Sequence, residues 1–212
     1  MMDDSLLRQL YDDLAGVIAA AQRSLVQIAN GRGGAGAGTI WHSDGLIVTN
    51  HHVIAGRGDL RVTLHSGETL PARVLAASPE RDLAALVVEA DGLPTIAPGD
   101  SRALRPGQWV LALGHPWGVL DAVTGGVVIA LGPQIGDMRS PNGQDWLAVS
   151  VHVRPGHSGG PLIDAQGRMV GVNTIMNGPD VGVAVPVHVV KAFLKEDVGA
   201  KVKRSKPEPV IC

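Results

Sequence analysis

From Ser24 to Pro186 the chain is a succession of short apolar segments, each closed within a few residues by glycine, proline, aspartate, asparagine or serine. They lie around 24 to 28, 37 to 42, 46 to 49, 59 to 65, 69 to 76, 83 to 89, 109 to 113, 122 to 131, 146 to 153, 161 to 164, 168 to 175 and 181 to 185. Segments this short, punctuated this regularly, are the pattern of strands in an all-β body. The 28 glycines and 14 prolines supply the turns, and with 45% hydrophobic residues but only 3% aromatics the core must be Val, Leu, Ile and Ala. A chain of 212 residues can bury a sizeable core, either as one large domain or as two small ones. Twelve strands suit two six-stranded antiparallel barrels, roughly 23–100 and 101–185, within a body spanning 23–196.

The two ends depart from this pattern. Leu6, Leu7, Leu10, Leu14, Val17, Ile18 and Ala21 recur at helical spacing and predict an amphipathic helix over 1–22, packed on the body or on a neighbouring subunit. Pro186 to Glu196 reads as a closing helix. Residues 197–212, with Lys201, Lys203, Arg204 and Lys206 beside Pro207 and Pro209, have the composition of a solvated tail or linker remnant. A net charge of −2 offers no electrostatic footprint for nucleic acid. The single cysteine, Cys212, rules out an intrachain disulfide. Met1-Met2-Asp3-Asp4 is acidic and the apolar stretch Leu14 to Ala21 is short, so neither a signal peptide nor a membrane span is read. A cytoplasmic location is expected, or a periplasmic one if a leader has been removed.

Cofactor chemistry finds little support. Gly31-Arg32-Gly33-Gly34-Ala35-Gly36 matches G-x-G-x-x-G in form, but Thr39-Ile40-Trp41-His42 follows as a strand, so no helix N-terminus is there to receive a pyrophosphate. The eight histidines show no H-E-x-x-H spacing and no clustered cysteines accompany them, so no metal site and no cofactor are expected. His42, His65, His115, His152 and His188 are read as surface or turn residues, and His51 as structural.

Acyl-transfer chemistry is better supported. In Gly156-His157-Ser158-Gly159-Gly160-Pro161-Leu162 a serine is framed by glycines, which let the main chain turn its N–H groups toward one point beside the hydroxyl. A serine nucleophile needs a histidine to take its proton and an acid to orient the imidazole. The apolar run Leu46 to Thr49 ends at a polar corner carrying both His51 and His52, and Asp82 stands immediately before the apolar run Leu83 to Val88. Each residue alone has a plainer explanation, as a turn former or a surface histidine. The chain order His, Asp, Ser fits the arrangement of the triad carried on two β-barrels.

Val48-Thr49-Asn50-His51-His52-Val53, Arg81-Asp82-Leu83-Ala84, Gly114-His115-Pro116-Trp117-Gly118, Gly156 to Leu162 and Gly182-Val183-Ala184-Val185-Pro186 resemble, in this order, the HtrA/DegP branch of the trypsin-like serine proteases. The resemblance covers about Ser24 to Lys195. It implies a trypsin-like pair of barrels, the histidine directly before valine as general base, hence His52, Asp82 as its orienter and Ser158 as nucleophile. It further implies an oxyanion hole from the N–H groups of Gly156 and Ser158. Activity is expected to rise with pH as the general base loses its proton. His152, Val153, Arg154, Asn173, Thr174, Ile175 and Met176 are expected to line the primary pocket, and with no acid among them small or branched apolar side chains are favoured. The implied substrates are polypeptides, unfolded or misfolded, in protein quality control; trimers are common in that branch. A peptide-binding chaperone or an oligomerisation module on the same fold is the competing reading.

Two departures from the branch stand out. Position 157 is His where the branch usually has Asn and the digestive proteases an Asp, so activation by pairing with a newly cut N-terminus is not expected. The branch usually carries PDZ domains after the protease, whereas only Lys201 to Cys212 follow here, so activation by a PDZ ligand in the same chain is not expected either.

Overall fold

A computed structural model describes residues 4–31, 35–56, 58–140, 142–176 and 180–199. Helix α1, Asp4–Gln22, leads into β1 (Leu25–Ala29), β2 (Ala35–His42), β3 (Leu46–Thr49), the short helix α2 (His51–Ile54), β4 (Arg61–Thr63), β5 (Thr69–Ser78) and β6 (Leu83–Val88). These six strands close antiparallel in the order β1-β2-β3-β6-β5-β4. The second barrel comprises β7 (Trp109–Gly114), β8 (Ala122–Gly132), β11 (Trp146–Val149), β12 (Pro161–Asp164), β13 (Met169–Met176) and β14 (Gly182–Pro186), closed as β11-β14-β13-β12-β7-β8. Between β8 and β11 stands a small hairpin of β9 (Gln134–Ile135) and β10 (Met138–Arg139).

Strand periodicity explains how so few aromatics suffice. Along β6, Leu86 and Val88 point into the first barrel, while Leu83 and Ala85 face an apolar layer shared with Leu113, Ile163, Met169, Val172 and Val185 of the second. A strand covered on both faces reads as the unbroken run Leu83 to Val88 rather than as alternation. Val110, Leu147, Val149 and Leu162 fill the second barrel. Closing α3 (Val187–Phe193), continued by a wider helical turn over Leu194–Val198, buries Phe193, the only phenylalanine of the chain, completely in the shared layer.

Several boundaries differ from the sequence reading. The β9–β10 hairpin falls outside the twelve segments. The segment 146 to 153 is strand only to Val149, and 59 to 65 only over Arg61–Thr63. The closing helix runs past Glu196, so Asp197 and Val198 belong to it rather than to the tail; residues 200–212 lie outside the described residues, as do Arg32 to Gly34 of the glycine-rich stretch. Only the last turns of α1 pack on the body: Leu14, Val17, Ile18 and Ala21 meet the shared layer, while Leu6, Leu10 and Tyr11 are exposed. His115, expected at the surface, is buried. His188, expected likewise, is half-buried and bonded on both ring nitrogens. Among the described residues no helix is long and apolar enough to cross a membrane.

Phe193→Ala is expected to cost about 3–5 kcal/mol of unfolding free energy, the usual range for an aromatic removed from a packed core. Urea unfolding followed by circular dichroism measures it, and a loss below about 1 kcal/mol would contradict the packing described.

Candidate active site

Asp82 sits in a left-handed conformation (φ 50°, ψ 43°) at the end of the tight turn Pro79–Arg81. That conformation is uncommon for residues other than glycine, although aspartate tolerates it better than most. Its carboxylate meets the start of α2 twice: the His52 backbone N–H donates to Oδ1 at 3.1 Å, and His52 Nδ1 lies 2.9 Å from Oδ2. The Thr174 hydroxyl of β13 donates a short hydrogen bond to the same Oδ2. Asn50 Nδ2 holds the Asp82 carbonyl at 2.9 Å. Burial pushes the Asp82 carboxyl up, but the hydrogen bonds from His52 and Thr174 and the histidine's charge outweigh it and leave the group below its ordinary value. Asp82 thus accepts a hydrogen bond from His52 Nδ1–H and leaves Nε2 as the free ring nitrogen. No described hydrogen bond joins it to His51.

Ser158 and His52 line one cleft of about 450 Å³ together with Asn30, Val53, Val153, Arg154, Pro155, Gly156, Thr174 and Met176. In this state the serine hydroxyl donates to the Thr174 carbonyl at 2.7 Å, and no hydrogen bond links it to His52. The turn before it is more telling. Every carbonyl from Arg154 to Ser158 accepts a backbone N–H: Arg154 from His157 and His157 from Gly160 within the turn, Pro155 from Trp117, Gly156 from His115, and Ser158 from Ala37. A trans peptide directs its C=O and N–H to opposite sides, and the described residues contain no cis bond. With the Pro155 carbonyl directed at Trp117 and the His157 carbonyl at Gly160, the N–H groups of Gly156 and Ser158 point away from those partners, and neither meets an acceptor among the described residues. Gly156 has φ +103°, and a Cβ there would lie 2.3 Å from the His115 carbonyl oxygen, so only glycine fits.

Of the residues expected to line the pocket, Val153, Arg154, Thr174 and Met176 do so. His152 does not; it is exposed and paired with Asp180 at 3.4 Å. Asn173 does not either, being fully buried with Nδ2 donating to the carbonyls of Leu113 and Pro161. The side chain of Ile175 lies outside the described residues. Sequence reasoning missed Asn30, Val53 and Pro155 as cleft residues, and it missed that Thr174 reaches Asp82. It also gave no role to Gly114-His115-Pro116-Trp117-Gly118, which backs the turn at Gly156; the two glycine-flanked motifs were its visible signal.

A second Ser-His-Asp string exists. Ser101 Oγ lies 2.8 Å from His188 Nδ1, and His188 Nε2 lies 3.2 Å from Asp145. The ring is turned over: the His188 backbone N–H donates to Ser101 Oγ, so the hydroxyl donates to Nδ1 rather than Nε2, and the carboxylate accepts from Nε2–H. Ser101 is fully buried and lines no described cleft. The string ties α3 to the second barrel.

Residues 36–172 match the family described as "Trypsin-like peptidase domain". The chain belongs to that family. Within it, the chain is 36% identical over 166 residues to the "Probable periplasmic serine endoprotease DegP-like" of Chlamydia trachomatis, covering 76% of this chain and 33% of that protein. It is 38% identical over 171 residues to "Protease Do-like 1, chloroplastic" of Arabidopsis thaliana, covering 77% and 39%. The solved structure of the HtrA-type protease AlgW with a tripeptide superposes with a TM-score of 0.79 at 30% identity, covering 86% of this chain and 64% of that one. The resemblance to the HtrA/DegP branch therefore holds, as does the trypsin-like pair of six-stranded barrels. The chain spans about a third to two fifths of the length of these two curated relatives. The expected cytoplasmic location is corrected: the DegP-like relatives are named periplasmic, and the features of residues 1–21 do not outweigh that.

Thr174→Val removes one of the donors that hold Asp82 down. The Asp82 carboxyl is then expected to titrate at higher pH than in the wild type, as followed by its side-chain carbon shift. Because a depressed carboxyl stabilises the fold above its unfolded value and loses that contribution as pH falls through the folded one, the variant should also lose stability at higher pH on acidification.

Proposed function

We propose that this trypsin-like chain is a serine endopeptidase acting through His52, Asp82 and Ser158, with the N–H groups of Gly156 and Ser158 as oxyanion hole and 23–196 as the peptidase unit. The observation that carries the reading is the orientation of the turn Arg154 to Ser158: two N–H donors without an acceptor among the described residues stand at a cleft that also holds a serine hydroxyl and a histidine oriented by a half-buried carboxylate. When a peptide carbonyl enters, rotation about the Ser158 side chain moves its hydroxyl from the Thr174 carbonyl to His52 Nε2. The imidazole takes the proton as Oγ attacks, Asp82 stabilises the imidazolium, and the proton passes to the leaving amine. The negative oxygen develops against the two N–H groups. Val153, Thr174 and Met176 give an uncharged wall for a small or branched apolar side chain before the scissile bond. By resemblance to the HtrA/DegP branch its substrates are unfolded or misfolded polypeptides, in protein quality control, and the relatives named periplasmic support a place in the periplasm.

A fluorophosphonate probe should label the wild type and not Ser158→Ala. Asp82→Asn should lower kcat against an apolar peptide substrate by on the order of 10⁴-fold, as loss of the orienting acid does in such triads. Labelling that persists in Ser158→Ala, or none in the folded wild type, would remove the assignment. The proposal extends to a homo-oligomer, by resemblance a trimer, that covers the exposed Leu6, Leu10 and Tyr11 of α1. Sedimentation equilibrium should return three chain masses for the wild type and fewer for Leu10→Glu; a monomeric wild type overturns it.

A further inference from the structure

His157 sits one residue before the serine and is buried to 1% exposure. Its Nδ1 lies 3.2 Å from the backbone nitrogen of Arg154 and 3.3 Å from the Arg154 carbonyl oxygen. That carbonyl already accepts the His157 backbone N–H, whereas no other acceptor for the Arg154 N–H is seen among the described residues. The balance of donors makes Nδ1 the acceptor, which places the ring proton on Nε2. Nε2 is itself buried and has no partner among the described residues.

His115, directly behind, repeats the pattern. It is buried, its Nδ1 accepts the Asp121 backbone N–H at 3.2 Å, and its Nε2 is unpartnered. Its own backbone N–H holds the Gly156 carbonyl at 2.9 Å. His115 thus backs the turn through its backbone N–H, whereas His157 holds it through its ring. We propose that His157 is a positioning residue of the oxyanion turn, and that it holds Gly156 in place only as the neutral imidazole, so that protonation of this one ring releases the turn.

An imidazolium at 157 would set a donor against the Arg154 N–H and leave a charged Nε2–H buried without an acceptor among the described residues, at a cost well above that of a lost neutral hydrogen bond; the Arg154 carbonyl at 3.3 Å favours the charged ring but does not outweigh burial. The charged and titratable groups around the pair all bear on this. Arg154, of the same turn and stacked over Trp117 at 5.0 Å, and His115 both oppose charge on His157. Asp121, paired with His65 at 3.1 Å, favours charge on His115 while His65 opposes it. Burial, the largest cause, holds His157 below its ordinary value of 6.5. The sign follows: below about 6.5 the unfolded chain takes up a proton that the folded ring refuses, so stability falls as pH falls toward the folded value.

The inference rests on the peptidase reading for its meaning but not for its test. In wild-type protein labelled with ¹⁵N, the Gly156 amide is expected to shift with pH along a curve whose midpoint coincides with that of the His157 ring and lies below 6.5. In His157→Asn, whose side-chain oxygen accepts the Arg154 N–H without titrating, that step should vanish. It should persist in His115→Asn. The matching activity readout is the acid limb of log kcat/KM: approaching a hundredfold per pH unit in the wild type, where two histidines must be neutral, and tenfold per unit in His157→Asn. His157→Leu, lacking an acceptor, should lose kcat at every pH with KM little changed. The proposal is overturned if the Gly156 step survives in His157→Asn, if it disappears in His115→Asn instead, or if His157 titrates with no movement of Gly156. It is equally overturned if His157 shows no titration before acid unfolding. Absence of all peptidase activity with the amide behaving as described would remove the peptidase reading and leave the latch.

Discussion

The Ala37 N–H of the first barrel donates to the Ser158 carbonyl of the second at 2.8 Å, and the chain has no room for side chains around that seam. A Cβ at Gly159 would lie 2.1 Å from the Ala37 carbonyl oxygen, and one at Gly160 would lie 2.3 Å from that of Leu113. The close approach fixes the backbone bearing the serine against the barrel bearing His52 and Asp82. The Thr174 hydroxyl crosses the same seam to Asp82. The candidate triad is therefore built across an interface, and its geometry is only as exact as the fit of glycine backbones there.

Most of the strand pattern was legible because each apolar run is bounded by turn residues and both barrels bury both faces of their central strands. The hairpin at Gln134–Arg139 was not, since strands of two residues carry no periodic signal. Asn173 and Thr174 illustrate a different limit. The register of β13 against β14 shifts between Asn173 and Ile175, and a bulge re-aims neighbouring side chains in a way that alternation does not reveal. Asn173 turns into the protein as a backbone tie, and Thr174 turns its hydroxyl to Asp82. The burial of His115 was hidden because its glycine and proline neighbours suggest a surface turn, whereas those residues are what allow the segment to lie flat behind the turn at Gly156.

Charge is distributed sparingly at the site. Asp82 is kept ionised by three donors, so its desolvation is offset. Burial disfavours charge on the rings of His115 and His157 and holds both below their ordinary value. The string Ser101, His188 and Asp145 uses the same residue types with the two ring nitrogens exchanged and no access to a described cleft, which shows that composition alone does not distinguish a structural tie from a reactive group.

The chain ends are exchanged between the barrels. Helix α1 precedes the first barrel, yet Val17 packs where a Cβ on Gly167 would lie 2.9 Å from its Cγ1, and Gln22 donates to the Asp121 carbonyl, both in the second. The helix after the second barrel reaches back to the first, where Glu196 and Asp197 hold Arg81 beside the acid of the site. A chain laced in this way has no half that can melt alone: loosening either barrel strips the helix that belongs, in sequence, to the other. The two halves are thereby bound into one unit, with the reactive seam between them spanned by a helix from each side.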